Sequence, residues 1–210
     1  MINGTQVVDP AKTHIVPATV IRSIAAGLFM MAFFTGIWAG IAYGGLYAGP
    51  FRFGPVIFLV LIIVFVMQGI KFFRVAHHHP EIRTDAEAAE KKRVGKWFGI
   101  IFGAEGLAIF LAINIVNYLG HPDLTIPVIA LVVGLHFYPL ARIFNRKIDY
   151  YLATWSTIIA VCAILFTLYK TIPAPAILVF TGVGIALATS AYGTYMMIAG
   201  NRLIKQNPGK

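Results

Sequence analysis

Charged residues are scarce in this chain: 12% of its 210 residues are Asp, Glu, Lys or Arg, where an average soluble domain has about one quarter. With so little charge and so much apolar surface, a disordered chain is excluded. Cysteine is scarcer still. Cys162 stands alone, which excludes a disulfide scaffold and leaves that residue to pack within an apolar run. Catalytic signatures are missing as well. There is no Gly-x-Ser-x-Gly elbow, no His-Glu-x-x-His zinc signature, no Walker loop and no paired catalytic carboxylates. An enzyme acting on lipid within the membrane is therefore the least supported reading. A bis-histidine haem needs two deep axial histidines, and only His136 lies deep in an apolar stretch, so no cofactor is expected.

Apolar length is what the chain has in abundance. Hydrophobic residues make up 59%, and the mean hydropathy is +0.79. A helix needs about 20 mostly apolar residues to cross the ~30 Å hydrocarbon core. Six stretches reach that length: 19–48, 53–73, 96–119, 124–144, 151–168 and 175–199. The expected fold is an all-α integral membrane protein, a compact bundle of six transmembrane helices. Residues 1–18 read as a leader and 200–210 as a tail; the leader, with Asp9, Pro10, Lys12 and Pro17, lacks the pattern of a removable signal peptide. Short links with Gly or Pro join the spans into three helical hairpins. Thr-Ile-Pro occurs at 125–127 and again at 171–173, a faint sign of hairpin duplication.

Lysine and arginine gather on one side. With the N-terminus inside, all of the 17 basic residues except Arg52 and Lys170 fall on the cytoplasmic side, the asymmetry that sets orientation in a membrane. Both termini are expected inside. The formal net charge of +9 then reports topology and an attraction to anionic lipids at the inner face. Nucleic acid is not an expected partner, because no basic–aromatic module is present.

An ionisable residue deep in a span is costly, which makes it a functional candidate. Glu105 lies nine residues beyond Lys96 and His136 ten residues before Arg146, so both sit about 13–15 Å above the inner interface at 1.5 Å per residue. Their spans are joined by a four-residue link, 120–123, which makes them antiparallel neighbours. Glu105 and His136 are thus expected at one depth on adjacent helices, in a position that allows them to face one another. Pro139 donates no backbone hydrogen bond and frees the carbonyl of Leu135 beside His136. Such a site suits a proton, a cation or a chain of water. The alternative is a purely structural contact that locks two helices together. Asn114 and Asn117 lie about 180° and 120° round the helix from Glu105 and do not extend the site, whereas Gln68, near the inner end of the second span, is a supporting candidate.

Gly36, Gly40 and Gly44 recur at every fourth position of the first span, a smooth strip on which another helix can lie closely. Gly99, Gly103 and Gly106 repeat the device in the third span, and Gly182, Ala186 and Ser190 in the sixth. Packing inside the bundle is one use of the first strip; an interface with a second copy or a membrane partner is the other. His77, His78 and His79 form a histidine tract and are weak metal candidates, better read as a solvated, pH-sensitive loop. Thr84 with Glu87 has the spacing of a capping box, followed by an i, i+4 pair of Glu87 and Lys91.

The strings Phe98–Gly106 and Gly134-Leu135-His136-Phe137-Tyr138-Pro139-Leu140-Ala141 resemble those of a family of small multi-span bacterial membrane proteins of unassigned function. The Gly-Leu-His-Phe-x-Pro-Leu-Ala string is the specific part, and the likeness covers the third to fifth spans. The resemblance implies a bacterial cytoplasmic membrane and identifying motifs that contain Glu105 and His136; it supplies no substrate. Residues and resemblance together lead to the expectation of a small transporter or channel for protons, a cation or a small solute. The alternative is a non-catalytic accessory subunit or helix-packing partner of a membrane complex.

Overall fold

A computed structural model describes residues 16–46, 53–81 and 85–206. Among them are six long helices: α1 (Ala18–Leu46), α2 (Val56–Ala76), α3 (Asp85–Tyr118), α4 (Thr125–Phe144), α5 (Lys147–Leu168) and α6 (Ala174–Gln206), with a 3-10 turn at Pro122–Leu124 before α4. All six are long and apolar enough to cross a membrane, and among the described residues there is no strand. The chain is an all-α polytopic membrane protein. Two helices run past the apolar stretches that announce them. α6 continues through Arg202 and Lys205 to Gln206, and α3 begins at Asp85, directly after the Thr84 of the expected capping box and ahead of the apolar stretch that opens near Lys96. Apolar length marks where hydrocarbon ends, whereas a helix continues wherever its residues favour it. Thr84 and the side chains of Glu87 and Lys91, on which the capping box and the i, i+4 pair rest, lie outside the described residues.

Each sequential hairpin is in contact, but the largest seams cross between hairpins: α1 lies along α6, and α4 along α5. Neighbours follow the order α2, α1, α6, α5, α4, α3, with α2 and α4 also touching α6. Between helices in lipid there is little hydrophobic drive, so close approach of small residues and a few polar contacts must hold them. α6 supplies the small residues. A Cβ at Gly182 would come within 2.7 Å of the Trp38 carbonyl oxygen of α1, and one at Gly184 within 2.7 Å of Ile159 of α5. Gly193 and Gly200 receive the rings of Phe65 and Phe72 from α2. At the centre of the α1–α6 seam the buried hydroxyls of Thr35 and Thr189 meet at 2.8 Å. The indole of Trp155 donates to the Gly184 carbonyl at 2.8 Å, tying α5 to α6.

The strip on α1 does not pack in this way. A Cβ at Gly40 or Gly44 would meet nothing within 4 Å, and one at Gly36 only the tip of Ile62 at 3.6 Å. Gly99, Gly103 and Gly106 of α3 are equally open. Of the strip Gly36, Gly40 and Gly44, Gly36 alone lies against another helix of the bundle, beside Ile62 of α2. Gly40 and Gly44 look outward, and Gly27 and Gly45 of the same helix take the close contacts, with Met196 and with the α6 segment at Pro175–Val179. α3 is the outlier of the fold, packed on α4 and the turn before it, with most of its apolar surface outward.

Helix ends are set by left-handed residues. Gly120 (φ 75°) closes α3: its N–H donates to the Asn117 carbonyl at 3.0 Å and that of His121 to Val116 at 2.8 Å, the paired bonds of a Schellman turn. Lys170 (φ 51°) plays the same part after α5, its N–H donating to Thr167 and that of Thr171 to Phe166. A side chain in that conformation is strained by roughly 1–2 kcal/mol. Lys170→Gly is accordingly expected to stabilise the protein by about 1 kcal/mol, read as a shift in its unfolding midpoint in micelles; no shift would mean the strain is already relieved.

At the other end, the start of α1 is tied to the turn after α2. The Ala18 N–H donates to the Pro80 carbonyl at 3.1 Å, the His79 Nδ1–H to the Val16 carbonyl at 3.2 Å, and Arg22 pairs with Glu81. This divides the histidine tract. His77 and His78 are exposed, while His79 is buried and turned to Val16. The three rings do not converge, and no group of three metal-ligating residues occurs among the described residues. The tract as a metal site is corrected on that ground, since one ring has left it to anchor a helix.

Candidate functional site

Two helices build the site. α3 rises to the Schellman turn at Gly120, and the 3-10 turn at Pro122–Leu124 reverses the chain into α4. The link is short, so the register between α3 and α4 is fixed. It brings Glu105 and His136 to one level, with Nδ1 of the imidazole 3.1 Å from Oε1 of the carboxylate and each side chain only 9% exposed. The ring nitrogen is buried and lies off the line of a hydrogen bond, so the contact is an electrostatic approach with room to tighten. In hydrocarbon, an acid and a base at this distance satisfy one another far better than either alone.

Aromatic rings line the side of the pair that leads toward Arg146. Phe102 meets the imidazole edge-on with centroids 5.7 Å apart, and Phe137 lies beside it at 4.3 Å. Phe98 follows at 4.5 Å from Phe102, and Phe144 at 6.2 Å from Phe98. The column ends on Arg146, whose guanidinium sits 5.0 Å from the centroid of Phe144. Rings of this kind exclude water and strengthen every electrostatic term in the pair above them.

Other candidates are placed elsewhere. Leu135 and Pro139 are exposed, on the flank of α4 outside the contact with Glu105, and the helix runs uninterrupted through Pro139. Gln68 is turned away from the pair: its amide donates to Asn201 of α6 at 2.8 Å, and among the described residues α2 packs chiefly against α1 and α6. Asn114 and Asn117 turn back on their own helix, donating to the carbonyls of Phe110 and Ile113. A cleft of about 640 Å³ opens at the far end of the bundle, between the links that precede α4 and α6, with Asp123, Lys170 and Thr171 at its edge. It brings Ile126 of the first Thr-Ile-Pro next to Thr171, Ile172 and Pro173 of the second. Along α4 it stands about 18 Å from the level of His136, at 1.5 Å per residue.

One charged group went unnoticed in the sequence. Asp149, in the first turn of α5, is 1% exposed. It faces Tyr192 of α6 and the charge of Arg146, yet neither carboxylate oxygen has a hydrogen-bond partner. Its place within a basic link, between Lys147 and two tyrosines, makes it look like an interfacial residue. The available signal was its position as the sole acid in that link.

No protein-family model matches the chain, no curated protein matches it, and no solved structure matches it.

Proposed function

We propose that the protein is a small proton-handling transporter or channel of a bacterial cytoplasmic membrane, with Glu105 and His136 as the pair that holds the transported proton. One observation carries this reading: a carboxylate and an imidazole 3.1 Å apart, each 9% exposed, midway along two helices that cross the membrane. Two groups make a poor cage for a metal cation, which takes six or more oxygens if it is calcium or magnesium. They suffice for a proton, which needs one donor and one acceptor. Histidine also changes charge near physiological pH more readily than other side chains. The phenylalanine column on the inner side keeps bulk water from short-circuiting the pair. Orientation with both termini inside follows from the distribution of Lys and Arg, and the likeness of the Gly134–Ala141 string to the uncharacterised bacterial family is in keeping with this membrane.

The test is proton flux into vesicles that carry the reconstituted full chain and a trapped pH-sensitive dye. A pH step should produce internal acidification at least several-fold faster than in empty vesicles. Equal rates would overturn the proposal.

A second reading rests on α3. Among the described residues this helix packs chiefly on α4, and its outward face bears Gly99, Gly103 and Gly106 with nothing within 4 Å of a Cβ built on them. An accessory subunit would use such a face to seat a helix of its partner, and the Glu105–His136 contact would then serve to hold α3 in place. A protein that co-purifies in fixed ratio from gently solubilised membranes favours this reading; a lone chain favours the first.

A further inference from the structure

We infer that Asp149 is a second protonation site of the bundle, occupied in the arrangement seen here, and that Arg146 is the cation that takes the place of the proton when it leaves. The site involves a different carboxylate on different helices from Glu105 and His136, so it stands or falls independently of the proposal above.

Geometry carries the inference. The carboxylate is 1% exposed and neither oxygen is hydrogen-bonded. Left ionised, it would be a buried anion whose neighbours, the Tyr192 hydroxyl and the charge of Arg146, make no direct hydrogen bond to either oxygen, a state that folded proteins and membranes alike avoid by full pairing or by protonation. Pairing is not what the structure shows. Arg146, the cation that bears on Asp149, is engaged elsewhere: its guanidinium donates to the Tyr192 hydroxyl at 3.1 Å and rests on the Phe144 ring. The first turn of α5 offers free N–H groups that would favour an anion, but neither oxygen accepts one. The neutral acid is the form that suits these surroundings.

The other groups nearby are accounted for. On α5 itself, Lys147 is exposed. α6 presents Tyr192, stacked on Tyr195 at 6.4 Å. α4 presents Tyr138, whose hydroxyl is shared with Thr154 at 3.1 Å, and the exposed Arg142. Loading forms one O–H bond on Asp149 at the expense of a hydronium ion, which leaves as water. Release returns the proton to water, and Arg146 then swings from Tyr192 and Phe144 onto the carboxylate. Because Arg146 touches α4 through Phe144 and α6 through Tyr192, that swing alters a contact with each helix.

Infrared spectroscopy of the full chain in lipid vesicles, with aspartate labelled at its side-chain carboxyl with carbon-13, tests this without a variant. The chain has four aspartates, Asp9, Asp85, Asp123 and Asp149, of which Asp149 is the one shown buried. The expected result is a protonated-carboxyl band at neutral pH that shifts with the aspartate label and is lost in alkaline buffer. Asp149→Asn should remove it, and Arg146→Gln should carry it to higher pH, because no cation is left to replace the proton. A protonated band that shifts with glutamate label but not with aspartate label would overturn the inference while leaving Glu105 in play. The absence of any label-sensitive band from acid to alkaline buffer would overturn it as well.

Discussion

Glu105→Gln is expected to bring proton flux in reconstituted vesicles down to that of empty ones, a loss of at least about tenfold, while the protein still folds. The amide keeps an oxygen beside the imidazole nitrogen that lies 3.1 Å from Oε1, so the contact between α3 and α4 survives in shape. It loses the one property that flux demands, an acid that can bind and release a proton. Stability should change by less than about 1 kcal/mol, since the amide is the same size as the carboxyl and the pair makes no hydrogen bond to lose. Glu105→Leu is the harsher variant. It strands the imidazole in an apolar seam, at a cost of about 1–3 kcal/mol. Normal flux with lowered stability in both variants would convert the pair into a helix lock and favour the accessory reading. Normal flux with normal stability would leave the pair without either role.

The largest structural effect is expected at Gly182. Gly182→Leu would place a Cβ 2.6 Å from the Ala42 amide nitrogen and 2.7 Å from the Trp38 carbonyl oxygen. Both are backbone atoms, which cannot step aside by changing rotamer, so α1 and α6 must separate along their main seam. Overpacking of this kind costs about 1–3 kcal/mol and sometimes more; with main chain on both sides, about 3 kcal/mol or above is expected. Gly40→Leu and Gly103→Leu make the contrast. Nothing lies within 4 Å of either added Cβ, so folding should move by no more than about 0.5 kcal/mol. Unfolding titrations in mixed micelles read all three. Equal losses at all three positions would mean that the outward strips are covered by something as close as α6. Intact folding with altered assembly at Gly103 would identify a partner helix.

Much of this was legible in the sequence, and the failures have physical causes. Six apolar runs of membrane-spanning length announce six helices, because hydrocarbon leaves the backbone no other way to bond. The common depth of Glu105 and His136 was legible too, since a link of only four residues fixes the register of two antiparallel helices. The glycines were not so readable. Gly36, Gly40 and Gly44 have the same spacing as Gly182, Ala186 and Ser190, yet Gly40 and Gly44 look outward and the second set lies in the core. In water an outward face would be marked by polar residues; in lipid both faces are apolar and the mark disappears. Gln68 was misplaced for a related reason, because depth along a helix can be counted while its angular partner cannot. Asp149 escaped because a basic link suggests solvent, and the chain folds that link back under α6.

The contact of Thr35 with Thr189 joins residues 154 apart in the chain, and it marks the centre of the most extensive seam in the bundle. At about 5–20 residues per second of synthesis, α1 is in the bilayer for roughly 8–30 s before its principal neighbour exists. During that interval Ala42, which packs on Gly182, faces lipid tails instead of α6. A small methyl group tolerates the wait, since hydrocarbon solvates it nearly as well as another helix does. Assembly is therefore insertion first and docking afterwards. A ribosome that stalls between α5 and α6 leaves α1–α2 and α4–α5 as separate rafts, an orphan for the proteases that patrol the membrane.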